Sequence, residues 1–390
     1  MAPASTGQPG ENRFLSLGIF RHHTRPVDST PPPLPLPSPC RRPMSSTLAR
    51  FAPFVAMLGA HLAAPATLPA QAKEYLYLGN SLGGDISIIA IPSHKVVGTI
   101  PATVVGNHPD DVIASRNGDI LYISRLDVND VIAVSTATEQ VLWRTEVPGV
   151  PNHLTLSPDE QFLYVPIYDK GLLAVIDTKT HQVITTLEVG KGPHGTQLGP
   201  TGKHVYVGNM ESNDVAVVEV GTNRLEKRIR LPEGVRPFQL SRDERYLYAQ
   251  VSKLHGFVVV DLTRDSVVRT VALPTAGKKL PEPTLQMSHY VMNHGLGISP
   301  DGKFLVANGS LIGITAIYSM PDLELLGTVP VGREPNWVTF SRDSKYAYVS
   351  NRRDNTLSVI SIPERKEVAR LKVGEFPQRM TTTTVARRPN

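Results

Sequence analysis

Gly332-Arg-Glu-Pro-Asn-Trp-Val-Thr-Phe-Ser-Arg-Asp-Ser-Lys-Tyr-Ala-Tyr-Val-Ser-Asn351 decides the fold, because variants of it recur from near residue 75 to the C-terminus. Trp337 to Ser341 alternates with the period of two expected of a strand. Arg342 to Lys345 is a polar turn, and Tyr346 to Ser350 is a second run of aromatic and β-branched residues. Aligning the second run of each copy gives Tyr77, Tyr122, Tyr164, Tyr206, Tyr248, Val306 and Tyr348, separated by 45, 42, 42, 42, 58 and 42 residues. Seven copies with a period in the forties predict an all-β fold, a seven-bladed β-propeller in which each repeat supplies one four-stranded antiparallel blade.

One repeat reads in full: His153 to Ser157, a turn at Pro158-Asp-Glu160, Phe162 to Pro166, Leu172 to Asp177, and Gln182 to Val189. The third runs, such as Asp214-Val-Ala-Val-Val218 and Phe257-Val-Val-Val-Asp261, are almost continuously apolar, as strands covered on both faces by stacked blades must be. The first repeat opens at Tyr75 with a second-type strand, and the region after Pro377 has room for a first-type strand only. Gln378 to Val385 is therefore expected to complete the blade begun by Tyr75 to Ile100, closing the ring and hiding its sheet edges.

The second runs (Tyr206-Val-Tyr-Val-Gly-Asn209), the third runs (Val175-Ile-Asp177) and the lead Val331-Gly-Arg-Glu-Pro335 together resemble the YVTN-repeat family of β-propellers. The resemblance covers about 310 residues. It implies an exported propeller and says little about chemistry, since propellers host lyases, lactonases, haem and copper proteins and plain binding modules.

Residues 1–43 are rich in Pro, Ser and Arg without apolar periodicity and are expected to be a disordered or non-native extension. Residues 44–72 have the layout of a secretory signal peptide: Arg50, an apolar stretch from Phe51 to Ala64, and small residues at Leu68-Pro-Ala-Gln-Ala72. Cleavage before Lys73 would leave the propeller, 73–390, in the periplasm or outside the cell, with no transmembrane anchor. The one cysteine, Cys40, excludes an intramolecular disulfide and any cysteine-based zinc or iron–sulfur site. A net charge of +5 is carried largely by tail arginines such as Arg41, Arg42, Arg387 and Arg388, which argues against nucleic acid as the partner. The expected partner is a small molecule or a protein of the cell envelope.

In this blade order the first strand lies nearest the channel, and the residue after the linker's proline enters the channel mouth. Those positions and their neighbours give the ligand candidates Asp110, Asp111, Asn152, His153, Asn336, Trp337 and Arg379. His108, His194, His289 and His294 are the metal candidates, because imidazole ligates zinc, copper and iron, including haem iron, and titrates near neutrality. A transition metal or haem is the cofactor this set would serve, whereas a polar ring that only solvates linker backbone would need none. Two function classes stay open: a binding scaffold, and an enzyme, either a metal-dependent lyase or lactonase or a copper or haem redox protein. The 58-residue interval adds a loop between Pro274 and His294 at the same mouth. No P-loop, dinucleotide fingerprint or nucleophile elbow is present.

Overall fold

The repeat led by Gly332 folds into four antiparallel strands in sequential order, Pro335–Phe340, Tyr346–Asn351, Thr356–Ser361 and Lys366–Lys372. The computed structural model describes residues 73–280 and 292–386, and contains seven such four-stranded sheets arranged as the blades of a propeller. The extension at 1–43 and the signal sequence at 44–72 lie outside the described residues. Blade 1 combines Lys73–Asn80, Asp85–Ile91 and Lys95–Ile100 with the C-terminal strand Pro377–Val385, which pairs antiparallel with Lys73–Asn80. The ring therefore closes as the sequence predicts. The first strands of blades 2 to 7 are Pro109–Ala114, Thr155–Leu156, Pro193–Leu198, Val235–Leu240, Leu296–Ile298 and Pro335–Phe340. Helix among the described residues is limited to the turns Ala102–Val105 and Leu126–Val128.

The cores lie between blades. In the third strand of blade 4, Val215 and Val217 pack toward Phe238, Leu247 and Val258 of blade 5, while Ala216 and Val218 pack toward Leu173 and Val175 of blade 3. Alternate residues of one strand thus serve two cores, which is why these strands read as unbroken apolar runs. Each buried Val or Leu contributes about 1.5–3 kcal/mol relative to exposure.

Two polar devices recur in the repeats. At the turn between first and second strands, Ser341 Oγ donates to Asp343 Oδ1 at 2.7 Å and accepts from Tyr346 N at 3.0 Å, and Lys345 N donates to Asp343 Oδ1 at 3.1 Å. The trio Ser157, Asp159 and Phe162 and the trio Ser299, Asp301 and Phe304 repeat this arrangement. Side chains thus pin the turn where backbone ladders cannot.

At the other end of the second strand a wholly buried Asn links to the third: Asn351 Nδ2 donates to Ser358 Oγ at 2.8 Å and to Thr356 Oγ1 at 3.0 Å. Asn80 and Asn209 do the same with Asp85 and Asp214. In three of the Val-Gly leads the glycine lies against that Asn: a Cβ on Gly190 would come within 2.5 Å of Asn209 Nδ2, one on Gly332 within 2.6 Å of Asn351 Cγ, and one on Gly374 within 2.5 Å of Asn80 Nδ2. The repeating Val-Gly and terminal Asn are two halves of one contact.

Candidate functional site

The first strands do not run straight into the channel. In blade 7 the register slips between Pro335 and Trp337, in blade 2 between Pro109 and Asp111, in blade 4 between Pro193 and Gly195, and in blade 5 between Val235 and Phe238. Such bulges insert an extra residue and re-aim its side chain. Matching the registers across all blades gives one inward ring, Gln378, Asp110, Asn152, His194, Arg236, His294 and Asn336, every member buried and polar. The proline marker predicts Phe238 for blade 5; the slip there follows Val235, so the ring residue is Arg236 and Phe238 joins the core between blades. Pro237 sits two positions later than its counterparts in the other repeats, which is why sequence alignment on proline misses the arginine.

Arg379 is the hub of the second layer. From blade 1 its Nη1 donates to Asp110 Oδ2 of blade 2 at 2.9 Å, and its Nη2 lies 3.4 Å from His194 Nε2 of blade 4. Its guanidinium covers Trp337 of blade 7 at 4.9 Å from the ring centroid. This side chain is 2% exposed and contacts side chains of three other blades, tying four blades together. The imidazoles of His153 and His194 stand 4.2 Å apart between centroids, and His294 lies 5.8 Å from His194, perpendicular to it. His294 Nδ1 donates to Asn336 O at 2.8 Å, so in the neutral ring Nε2 carries the lone pair. Asp111 accepts from Leu154 N of blade 3 at 2.7 Å and from Val112 N at 3.0 Å.

Burial, reinforced by the cations of Arg379 and Arg352, holds His153, His194 and His294 well below the ordinary histidine range, so all three are neutral at pH 7. Burial pushes the Asp111 carboxyl up to about 6, against the pull of Arg379 and of its two backbone donors. Arg236 is pulled down to about 10 by burial and remains a cation. Several buried polar atoms here have no hydrogen-bond partner among the described residues, including His153 Nε2, His194 Nδ1 and Arg379 Nε.

A cavity of about 780 Å3 opens beside this ring over blades 6 and 7. Its floor includes His294 and Asn336; its walls carry Lys278, Lys279, Arg333, Arg352 and Arg353, with Glu334 the one carboxylate among the described residues. Glu334 accepts from Arg352 Nη1 at 3.3 Å and from Arg353 Nε at 2.7 Å, and Arg333 Nε donates to Asp354 at 2.5 Å. The positive charge still exceeds the negative after these pairs are made. Arg333 and Glu334 lie in the linker entering blade 7, and Arg352 and Arg353 in the turn after its second strand, so the repeat's own geometry brings the two segments together.

Of the sequence candidates, the structure gathers Asp110, Asp111, Asn152, His153, His194, His294, Asn336, Trp337 and Arg379 at the inner strands. His108 stands apart, facing Asp127 Oδ1 at 3.1 Å on the exposed side of its linker. His289 lies outside the described residues. For a metal ion the donors do not converge: His194 Nε2 faces a guanidinium, His294 Nδ1 is spent on a carbonyl, and among the described residues no three His, Cys, Asp or Glu side chains are arranged to hold one. Arg236 and the lysines of the cavity wall are the residues the sequence reading did not select as ligands.

Solved structures with the same fold include a putative 6-phosphogluconolactonase from Bacteroides fragilis, 16% identical with a TM-score of 0.66, matching 82% of this chain and 100% of that one. The periplasmic gluconolactonase of Pseudomonas aeruginosa is 16% identical with a TM-score of 0.65, over 80% of this chain and 99% of that one. Kuenenia stuttgartiensis hydrazine synthase is 19% identical with a TM-score of 0.62, over 78% and 99%. At such identities the likeness is one of fold. No curated protein sequence matches the chain. The family model for YNCE-like β-propellers matches residues 86–282, just over half of the chain, and with seven blades built on that repeat the protein belongs to the YNCE-like β-propeller family.

Proposed function

We propose that this protein is an exported binding module that holds a small anionic ligand at the mouth of its central channel. The observation that carries this reading is the cavity over blades 6 and 7, which among the described residues is lined by five cationic side chains and one carboxylate beside the buried polar ring. A concave site of this size with converging polar groups suits a small molecule better than a flat protein face. Lys278 and Lys279 supply steering charge, and the half-buried Arg352 supplies a directional donor. Export rests on the signal-like segment at 44–72, and the finer YVTN-repeat class rests on the Val-Gly lead and the Tyr-Val second strands. The ligand, or a protein that presents it, would then belong to the cell envelope.

Titration calorimetry of the purified chain against a panel of inorganic and carboxylate anions tests the reading. At least one anion binds saturably at low salt, and Lys278→Ala with Lys279→Ala weakens it about 5–20-fold, the loss shrinking at high ionic strength. Absence of saturable binding by every anion overturns it.

A second reading, an enzyme such as a lactonase or a haem protein, is favoured by the neutral, buried imidazoles of His153, His194 and His294 and by the raised Asp111 carboxyl. Neutral histidine is the form that accepts protons or ligates metal. Lactonases among the proteins of like fold support the same reading. Elemental analysis and an absorption spectrum of protein purified from its native source separate it from the first.

A further inference from the structure

Resting on the anion-binding reading above, the geometry of the cavity assigns the ligand a second chemical feature: we infer that it is a small polyhydroxylated anion, bound with hydroxyl groups on the floor and its charge against the cationic wall. The wall alone would take any anion of suitable size. The floor is different in kind, because it offers acceptors. His294 lines the cavity, and its Nδ1–H is committed to Asn336 O, so the nitrogen it has left for a ligand is the lone pair of Nε2. Glu334, also lining the cavity, receives Arg352 and Arg353 and retains lone pairs, since a carboxylate offers about four acceptor sites.

Both residues line a cavity whose other side chains are rich in positive charge. A bare carboxylate or sulfate brought against them would meet lone pairs with lone pairs, and the acceptors would lose solvent for nothing in return. A ligand with several hydroxyls satisfies them by donating, while its anionic end engages Lys278, Lys279 or Arg333. Neither half suffices alone. A neutral polyol leaves the excess positive charge of the wall unmatched, and an unsubstituted acid brings no donor to His294 Nε2 or to the remaining lone pairs of Glu334. The cavity of about 780 Å3 accommodates a six-carbon hydroxy acid with its water.

The test uses three probes of the same chain length: gluconate, which has both features, hexanoate, which has only the charge, and glucitol, which has only the hydroxyls. Calorimetric titration of the full chain at pH 7.5 and low salt is expected to rank gluconate on the order of tenfold or more above each of the others, the gain of one or two hydrogen bonds to charged or polar acceptors. His294→Gln is expected to shrink the gluconate-to-hexanoate ratio. Lys278→Ala with Lys279→Ala lowers both affinities and leaves that ratio unchanged. The wild-type ranking decides the matter even if His294→Gln fails to fold. Equal binding of gluconate and hexanoate, or of gluconate and glucitol, overturns the inference. Binding of inorganic phosphate without gluconate overturns it too and leaves the anion-binding reading standing, whereas no binding by any anion removes both.

Discussion

His153, His194 and His294 each come from a different blade, and their common neutrality is a property of the place rather than of the residue type. Exposed in an unfolded chain they would titrate near 6.5; folded, they are held lower by burial and then by Arg379 and Arg352. The unfolded chain therefore takes up protons first as pH falls, and the stability these groups contribute above about 6.5 is lost toward their folded values. Asp111 acts in the opposite sense. With its carboxyl raised to about 6, its contribution is present below about pH 4 and lost as pH rises through 6. Three imidazoles outweigh one carboxyl, so denaturation midpoints should fall between pH 7 and pH 5, and Asp111→Asn should make the fall steeper by removing the opposing group. A midpoint unchanged over that interval would mean that the imidazoles are not buried neutral. None of this was legible locally, because each histidine sits in an ordinary stretch of sequence and acquires its neighbours across the ring.

At the level of the element, the repeat is held by contacts that its consensus already encodes. Val331-Gly332 and Asn351 are 19 residues apart, counted from the glycine, yet a methyl group on Gly332 would overlap Asn351 Cγ at 2.6 Å. Gly332→Ala is expected to cost about 1–3 kcal/mol as an overpacking change. Asn351→Ala removes the bonds to Thr356 and Ser358 and leaves their hydroxyls to find other partners, about 1–3 kcal/mol. Together the two should cost less than their sum, since the smaller side chain makes room for the methyl; strict additivity in a double-mutant cycle by urea denaturation would refute the coupling. The same level explains the one wrong ring position. Proline marks the linker in most blades, but the bulge is set by strand pairing, and in blade 5 that pairing starts at Val235, two residues before Pro237.

For the whole molecule, closure is the governing event. Pro377–Val385 fills the innermost place of blade 1 and carries Gln378 and Arg379 into the ring. A chain ending at Phe376 would expose the inner edge of Lys73–Asn80 and leave Asp110 without its guanidinium. Such a chain is expected to lose its single cooperative unfolding transition and to associate, as followed by calorimetry and size-exclusion chromatography. Retention of a monomer with an unchanged transition would mean that the C-terminal strand is dispensable for the ring.

The sequence by itself determined the seven blades, the strand order, the closing strand and most of the inward ring, because each follows from a period, an alternation or a turn that acts over a few residues. Only the tertiary structure decided that Arg236 belongs to the ring, that Arg379 spans it, that His108 stays outside, and that Lys278, Lys279 and Arg352 share one cavity. Those relations depend on how the bulges aim side chains and on which blades the ring makes neighbours. The repeat specifies its own hydrogen bonds; the distances between repeats are fixed only when the circle closes.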